Sequence, residues 1–326
     1  MKNKKAAWLI LGILLITLGC SKSVIQEMPR LAEIRRQRLV SRSGKPGKVT
    51  FIYGNRTSQV KGCQPAWGMV TLTEFDGLKI LFNAGGDPVI FKHNLETLNI
   101  DIKDIDLVVI SHEHWEMLEG IGPVLERNPR VKIYVTRSLY DDYPSFMTHD
   151  LSGYNWKPEW QDNLVRMHDY QWVTPNILLM KLHSAFGRGG PRGIEEIHLV
   201  LLTEKGLVIA QGCGHPEILD IMSESQDYTD ENRVHLIYGG TRLIGPGHSV
   251  RLPGRSGSMN LMSNNITREE KYEIARELKK RGVQWIIPTH CTGPEGEAIF
   301  KEVFGDRYIN QKLGMVFRIP APAGRQ

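Results

Sequence analysis

Short apolar runs separated by polar residues recur along most of this 326-residue chain, and the apolar runs have the length and composition of β-strands. They are rich in Val, Ile, Leu and Phe, and turn-forming residues separate them. Asp76-Gly77, between two such runs, predicts a tight hairpin turn. The pattern predicts strands at residues 49–53, 69–75, 78–82, 107–110, 132–135, 177–182, 197–203, 207–210, 234–238, 285–287 and 314–319.

Helical signals lie between some of these strands. Pro88 falls in the first turn of a helix predicted over residues 88–98. A second helix begins after Thr267, where Glu270 completes the pattern of a capping box, and it ends at Gly282. A shorter helix is predicted just before the last strand.

Two segments lack this periodicity. Residues 141–172 mix aromatic residues, prolines and acids, and we expect them to form a cap or long loop over a site. Residues 244–265 are rich in Gly, Pro and Ser and predict a second loop. Strands dominate the first part of the chain, and helices return between the later strands. This order predicts two mixed sheets packed face to face with helices on the outer faces, an α/β sandwich.

The first residues have the pattern of a secretory signal. Three lysines precede a run at 6–18 that is apolar and too short for a comfortable membrane span. Thr17-Leu18-Gly19-Cys20 resembles the lipobox of bacterial lipoproteins, in which the signal is cut before the cysteine and the cysteine is lipidated. We therefore predict a signal peptide at 1–19 and lipidation at Cys20. An uncleaved anchor or a plain secretory signal are the alternatives.

A basic stretch follows the predicted lipid site. Loss of residues 1–19 removes three lysines and no acids, so the formal charge falls from +5 to +2. The remaining basic excess is concentrated in 20–48, which we interpret as a tether on an anionic membrane surface or, equally, in solvent. The domain would then be 49–326, at the bacterial cell envelope outside the cytoplasm. The sequence has no basic stripe with interleaved aromatic residues, so it does not indicate nucleic-acid binding.

Four segments carry candidate chemistry, and each follows a short apolar run. The first contains His112, His114 and Glu116, and the second, Gly-Cys-Gly-His-Pro, contains His215. The third, Gly-Gly-Thr-Arg, has Arg242, and the fourth, Pro-Thr-His-Cys-Thr-Gly, has His290. Neutral imidazole is a common ligand of zinc and similar cations, so imidazoles at the ends of several strands predict a metal site.

These segments, in this order and spacing, resemble the metallo-β-lactamase superfamily. They are similar to the branch of the dihydropterin–ribofuranosylaminobenzene phosphate synthases and related hydrolases. That branch has His-x-His-x-Asp-His after a Leu-Phe-Asp-Thr-Gly segment, and then Gly-Cys-x-His, Gly-Gly-Phe-His and Pro-x-His-Cys-Thr-Gly. The resemblance spans roughly residues 49 to 319. It implies an αββα sandwich with metals at one edge of the sheets.

The departures from the family pattern concern the second of the two family metals. Glu116 stands where the family has aspartate, and Met117 stands where it has histidine. Arg242 replaces a further histidine, and Asn83 replaces the aspartate of Asp-Thr-Gly. A thioether is a weak ligand for zinc, and a guanidinium has no acceptor atom. The resemblance therefore implies one metal rather than two.

The expected metal is zinc or another divalent cation. The resemblance implies the ligands His112, His114 and His215, with His290 or Glu116 completing the set. His183 and His248 are weaker alternatives, because His183 follows a predicted strand and His248 lies in the loop after the Gly-Gly segment.

Cys63, Cys213 and Cys291 allow at most one internal disulfide. Cys213 and Cys291 each adjoin a candidate ligand segment, so we expect them to lie near one another. The sequence leaves open whether they pair.

The resulting hypothesis is a membrane-tethered hydrolase that acts on an ester, phosphoester or amide bond of a small anionic substrate. Metal-bound hydroxide would attack, Glu116 would orient or deprotonate the water, and Arg242 would face Glu116 and clamp an anionic group. The rival hypotheses are a binding module that holds an anionic ligand without turnover and a surface scaffold.

Overall fold

The computed structural model describes residues 44–141, 157–184, 193–244, 249–251, 258–260 and 266–324. The predicted signal peptide, the lipidation site Cys20 and nearly all of the basic tether lie outside these ranges. In the part of the chain that is described, no helix is long and apolar enough to cross a membrane.

Fifteen strands are found in the described ranges. They are β1 Gly47–Gly54, β2 Met69–Phe75, β3 Leu78–Phe82, β4 Leu107–Val109, β5 Lys132–Val135, β6 Leu164–Arg166, β7 Tyr170–Thr174, β8 Ile177–His183, β9 Glu195–Thr203, β10 Gly206–Gln211, β11 Val234–Gly239, β12 Ser249–Arg251, β13 Ser258–Asn260, β14 Trp285–Pro288 and β15 Val316–Ile319. The α-helices used below are α1 Pro88–Thr97, α2 Trp115–Leu118, α3 Ile121–Arg127, α4 Ile218–Thr229, α5 Arg268–Lys280 and α6 Gly293–Phe304.

The first sheet has the strand order β15-β1-β2-β3-β4-β5-β6. β2 and β3 form the predicted hairpin, in which Asp76 and Gly77 both have positive φ, as a tight turn of this hand requires. From β3 to β6 the neighbouring strands are parallel. The carboxyl ends of β3 to β6 therefore lie along one edge of the sheet.

The second sheet has the strand order β14-β11-β10-β9-β8-β7. Strands β7 to β10 form an antiparallel meander, and β10, β11 and β14 are parallel. β12 and β13 form a separate two-stranded ribbon. The carboxyl ends of β10, β11 and β14 thus share an edge, as those of β3 to β6 do in the first sheet.

Both faces of each sheet are covered, which explains the nearly continuous apolar runs in the sequence. One apolar cluster packs α1 and α3 against the first sheet, and another packs α4, α5 and α6 against the second. Between the sheets, the ring of Phe51 meets the edge of Tyr238 at 5.7 Å, and the Tyr238 hydroxyl bonds to Thr73 at 3.2 Å. The predicted αββα sandwich is confirmed.

The helix ends follow the signals in the sequence. Asp87 caps α1 by accepting from the N–H groups of Val89 and Ile90, and Pro88 occupies the first turn. α5 begins with the predicted capping box between Thr267 and Glu270. Local chemistry therefore determines where these two helices begin.

The two segments without periodicity are more regular than the sequence predicted. Residues 157–172 do not form a loop: they contain a 3₁₀ turn at Pro158–Asn163, β6 and the start of β7. These strands extend the edge of each sheet. The 244–265 segment contains β12 and β13. Residues 142–156, which belong to the predicted cap, lie outside the described ranges.

Candidate metal centre

The candidate ligands lie where parallel strands of the two sheets end. His112 follows β4 of the first sheet, and Cys213 and His215 follow β10 of the second. Arg242 follows β11, and His290 opens a 3₁₀ turn directly after β14. A backbone hydrogen bond of 2.8 Å from Ile197 N–H to Ser111 C=O joins the loop after β4 to β9 of the second sheet. The loops of both sheets therefore converge at one edge of the sandwich.

Close approach of these loops requires glycine at two positions. A Cβ added to Gly212 would lie 2.2 Å from Ser111 Oγ, beside His112. A Cβ added to Gly239 would lie 1.9 Å from the Gln211 carbonyl oxygen, and Gly239 has a φ of +128°. Any larger residue at either position would push the ligand loops apart.

Three imidazoles face one another at this edge. The ring centroids of His112 and His114 are 4.6 Å apart, those of His112 and His215 are also 4.6 Å apart, and those of His114 and His215 are 4.7 Å apart. Cys213 completes a group in which one ligand atom from each residue lies within 4.8 Å of the others. We call His112, His114, Cys213 and His215 the histidine set.

His112 is held in an orientation that suits a metal ligand. Ser111 Oγ lies 2.9 Å from His112 Nδ1, and Asn83 Oδ1 accepts the Ser111 N–H at 2.8 Å. His112 is fully buried, and within the described residues its Nε2 atom has no hydrogen-bond partner. Burial and the neighbouring imidazoles lower the pKa of His112 well below its ordinary value. The ring is therefore neutral, which is the ligand form.

A buried carboxylate that the sequence analysis missed supports the loop after β10. Glu196 in β9 is fully buried and accepts hydrogen bonds from the N–H groups of Gly212, Gly214 and His215 at 2.8, 3.0 and 2.8 Å. Burial raises the pKa of Glu196 to about 7, although these three donors oppose the rise. Glu196 fixes the backbone that carries both Cys213 and His215.

A second group of potential ligands adjoins the first. Glu116, Cys213, His290 and Cys291 each offer one ligand atom, and these atoms also lie within 4.8 Å of one another. All four residues are buried, with exposures of 1% to 8%. We call them the thiol set. Cys213 belongs to both sets, and Glu116 Oε1 lies 3.7 Å from His114 Nδ1, so the two sets are in contact.

The two thiols of the thiol set differ in pKa. Burial raises the pKa of Cys213 well above its ordinary value. The S–H of Cys213 and the imidazole of His290 lower the pKa of Cys291 to about 5. Burial opposes the charge on Glu116, but His114 and His290 outweigh it and hold the pKa of Glu116 below its ordinary value. Anionic donors can thus persist in this buried place.

Arg242 contacts the histidine set rather than occupying the position predicted for it. Its Nη1 atom lies 2.7 Å from His215 Nδ1 and 3.4 Å from His215 Nε2. Glu116 Oε1 instead lies 3.7 Å from His114 Nδ1. Arg242 has a φ of +50°, a left-handed conformation that is costly for a residue with a side chain. In place of the expected Arg242–Glu116 pair, the structure therefore has an Arg242–His215 contact and a His114–Glu116 contact.

The other predicted site residues belong to one or the other of the two sets, or to neither. The structure brings His112, His114 and His215 together as expected, whereas His290 and Glu116 belong to the thiol set. Glu116 lies between His114 and the thiols, where it is a candidate ligand. His183 ends β8 and is exposed. His248, the other alternative ligand, lies outside the described residues.

The expectation of a single metal rested on the replacements at Met117 and Arg242. It did not include the cysteines, and the structure shows why they matter: Cys213 Sγ and Cys291 Sγ are 3.2 Å apart and both are free thiols. The sequence signal was present, since each cysteine lies beside a ligand histidine. The expectation that Cys213 and Cys291 lie near one another is confirmed, and the fold adds that Glu116 and His290 face them.

A cavity of about 370 Å³ leads to the histidine set. It opens beside β8 and α4, and His215 and His183 lie in its wall together with Leu182, Pro216, Glu217, Asp220, Ser223 and Glu224. The thiol set does not line this cavity. The histidine set is therefore the part of the centre that a small molecule can reach from this side.

The donors of the histidine set fit a divalent cation. His112 presents an unpartnered, buried nitrogen, and two further imidazoles and a thiol face it. Three imidazoles with an open position are the ligand pattern of catalytic zinc. One ligand of this set, His215, already uses its Nδ1 lone pair in a hydrogen bond with Arg242. His215 must be the acceptor, because a guanidinium can only donate.

Comparisons with known proteins identify the class. Over the described fold, the chain superposes on a metal-dependent hydrolase of the β-lactamase superfamily with a TM-score of 0.62, at 20% identity, covering 84% of this chain and 99% of that one. It superposes on the metallo-β-lactamase fold protein YhfI from Bacillus subtilis with a TM-score of 0.51, at 15% identity, covering 83% and 99%. The chain has the metallo-β-lactamase fold.

A more specific similarity lies in sequence. The chain is 27% identical over 278 residues to 7,8-dihydropterin-6-methyl-4-(beta-D-ribofuranosyl)-aminobenzene-5'-phosphate synthase of Methanocaldococcus jannaschii, which covers 75% of this chain and 86% of the synthase. It is 21% identical over 244 residues to an uncharacterized protein of the same organism, which covers 69% and 84%. No family model matches the chain. The predicted resemblance to this branch of the superfamily is confirmed.

Proposed function

We propose that the protein is a metal-dependent hydrolase whose reaction takes place at the histidine set. The observation that carries the proposal is the convergence of three imidazoles beside an accessible cavity. The ring centroids of His112, His114 and His215 lie within 4.7 Å of one another. Zinc is the proposed cation, because three imidazoles with an open position are typical of catalytic zinc. When bound, such a cation supplies Lewis acidity and lowers the pKa of water.

The chain's own residues supply orientation and charge. Ser111 fixes the ring of His112, and Glu196 fixes the backbone at His215. Glu116 lies against His114 and favours one ring orientation of that residue. Because these supports are buried, the three imidazoles keep their mutual geometry without a rearrangement when substrate arrives.

Arg242 is the proposed binding group for an anionic substrate. Its guanidinium lies at His215, the histidine that also lines the cavity. A guanidinium can donate two parallel hydrogen bonds to a phosphate or carboxylate. A phosphoester held at the histidine set would thus meet Arg242 beside His215. We include phosphoester, ester and amide bonds in the proposed substrate class.

We further propose that the enzyme acts at the cell envelope. The support is the sequence at residues 1–48, where a charged start, an apolar run, Gly19-Cys20 and a basic stretch follow in the order of a lipoprotein signal and tether. Replacing Cys20 by Ser should abolish fatty-acid labelling in cells. Continued labelling of that variant would contradict the lipid anchor.

The hydrolase proposal is tested with zinc-loaded protein on bis(p-nitrophenyl) phosphate and p-nitrophenyl acetate. Wild-type protein should release p-nitrophenol from at least one of them, and His112→Ala should lower kcat/KM by about 100-fold or more, since a lost ligand costs more than the 10–100-fold of a lost supporting group. His168→Ala is the matched control, because His168 is exposed. Equal rates for wild type and His112→Ala would contradict the proposal.

A further inference from the structure

The thiol set joins the two sheets at a point that the substrate cavity does not reach. Glu116 comes from α2, after β4 of the first sheet. Cys213 follows β10, and His290 and Cys291 follow β14, both in the second sheet. Cys213 Sγ lies 3.6 Å from Glu116 Oε1, 3.3 Å from His290 Nε2 and 3.2 Å from Cys291 Sγ. Four donors thus surround one small volume.

The chemistry of these donors selects a particular kind of ion. Two thiols, one imidazole and one carboxylate are the ligand types of four-coordinate zinc, and thiolates favour soft and borderline cations over Mg²⁺ or Ca²⁺. Four protein donors fill a tetrahedral shell, and all four are buried. A closed shell of this kind is typical of a structural metal and not of a catalytic one.

The imidazole of the set is already oriented toward the thiols. Thr289 Oγ1 lies 3.3 Å from His290 Nδ1, on the side opposite the Cys213 sulfur. The ring of Trp67 meets the His290 ring at 87° with centroids 5.4 Å apart. Metal-binding histidines usually have their second nitrogen in a hydrogen bond and their ring fixed by packing, and His290 has both features.

We propose that Glu116, Cys213, His290 and Cys291 form a second, closed metal centre that holds zinc through two thiolates and links the two sheets. A thiol of the set that is still protonated releases its proton to solvent when it binds the cation, so uptake of the metal releases protons. The proposal does not depend on turnover at the histidine set. It also changes the expected stoichiometry, because the thiols supply ligands that Met117 and Arg242 do not.

The test is the number of sulfur ligands per zinc in reduced, zinc-loaded full-length protein, measured by X-ray absorption. Zinc–sulfur bonds of about 2.3 Å are separate from zinc–nitrogen bonds of about 2.0–2.1 Å. With both sets loaded at two zinc ions per chain, the expected average is about one sulfur per zinc, since two thiolates bind one of the two ions. A first shell of nitrogen and oxygen alone would overturn the proposal, whatever the activity of the sample.

Matched cysteine variants sharpen the assignment. Cys291→Ser should remove about half of the thiolate-to-metal absorption seen with Cd²⁺, because one of two sulfurs is lost. Cys63→Ser is the control, since Cys63 is also a buried free thiol but belongs to neither set. Equal absorption in Cys291→Ser and wild type would contradict the thiol centre.

A variant that fails to fold does not decide the test, because the sulfur count uses wild-type protein. Oxidation is the competing fate of two thiols 3.2 Å apart. Mass spectrometry of protein taken from the cell envelope without added reductant distinguishes metal-bound thiols from a disulfide. Metal-bound, reduced Cys213 and Cys291 support the proposal, and a quantitative disulfide between them in zinc-replete cells would overturn it.

Discussion

The two ligand sets differ most in their contact with solvent, although they share Cys213 and meet at His114 and Glu116. In the histidine set, the side chain of His114 is 37% exposed and His215 lines a cavity. In the thiol set, no residue is more than 8% exposed. An open set of imidazoles can accept a substrate, whereas a sealed set of thiols can only hold its ion. The fold thus places two candidate metal sites of different chemistry side by side.

The supports of the two sets differ as well. The histidine set depends on polar partners of the ring and backbone, Ser111 and Glu196. The thiol set depends on direct contacts among its own members and on the Trp67 ring. This difference allows changes that affect one set and spare the other, and one change that affects both.

The largest effect is expected from Glu196→Ala, which breaks both sets together. The change leaves three buried N–H groups without an acceptor, and each costs about 1–3 kcal/mol. We expect at least about 3 kcal/mol of lost unfolding free energy and loss of metal from both sets, because Cys213 and His215 lie on the same loop. Denaturant unfolding and elemental analysis measure the two effects.

The control for Glu196→Ala is Glu204→Ala, since Glu204 is exposed at the turn between β9 and β10. It should change the unfolding free energy by less than about 0.5 kcal/mol. If Glu196→Ala kept the metal content of both sets, the loop after β10 would not need its carboxylate.

His112→Ala should separate the sets. The histidine set loses a ligand, and hydrolysis should fall by about 100-fold or more. The thiol set keeps all four donors, so the metal that remains should have about two sulfurs per zinc instead of about one. A variant with no metal at all would show that the two sets bind cooperatively and not as separate centres.

Much of the fold could be predicted from the sequence because central strands such as β4 and β10 are buried on both faces and are almost entirely apolar. β2 and β3 begin and end where the sequence predicted. β7 was missed because it is an edge strand with mostly half-buried residues, and its apolar signal is weak. α4 was missed too: it follows the His215 segment directly.

Less of the candidate site than of the fold could be predicted from the sequence. The histidines could be found because each lies in a short motif after an apolar run. The Cys213–Cys291 contact joins residues 78 positions apart, and their motifs do not show that the two sulfurs face each other. Glu196 lies in no motif. It is the second of two adjacent acids, Glu195 and Glu196, at the start of β9, and the sequence does not show which of the two is buried.

Two smaller changes test whether each set has its own support. Ser111→Ala removes the partner of His112 Nδ1 and should weaken zinc binding at the histidine set by about 10-fold or more. Thr289→Val removes the partner of His290 Nδ1, and its effect should be smaller because the contact is longer, 3.3 Å against 2.9 Å. Calorimetric zinc titration should show each change in one binding step only. Equal weakening of both steps by either variant would contradict separate supports.

Arg242→Met should change zinc binding in the opposite direction. Arg242 donates to His215 Nδ1, so the guanidinium occupies a lone pair that a metal can use and also repels a dication. Methionine fills similar space without a donor or a charge. Removing a charged hydrogen bond of about 1.5 kcal/mol should therefore tighten zinc binding at the histidine set by about tenfold. The same variant should hydrolyse an anionic phosphodiester more slowly, because its clamp is gone.

Arg233→Met is the control for this change, since Arg233 is exposed and its side chain pairs with Glu231. It should leave both zinc affinity and turnover unchanged. The thiol set should bind zinc equally in wild type and Arg242→Met, because Arg242 contacts His215, which belongs to the histidine set and not to the thiol set. Weaker zinc binding in Arg242→Met would mean that the arginine orients His215 for the metal, in which case the contact seen here supports the histidine set instead of competing with its ion.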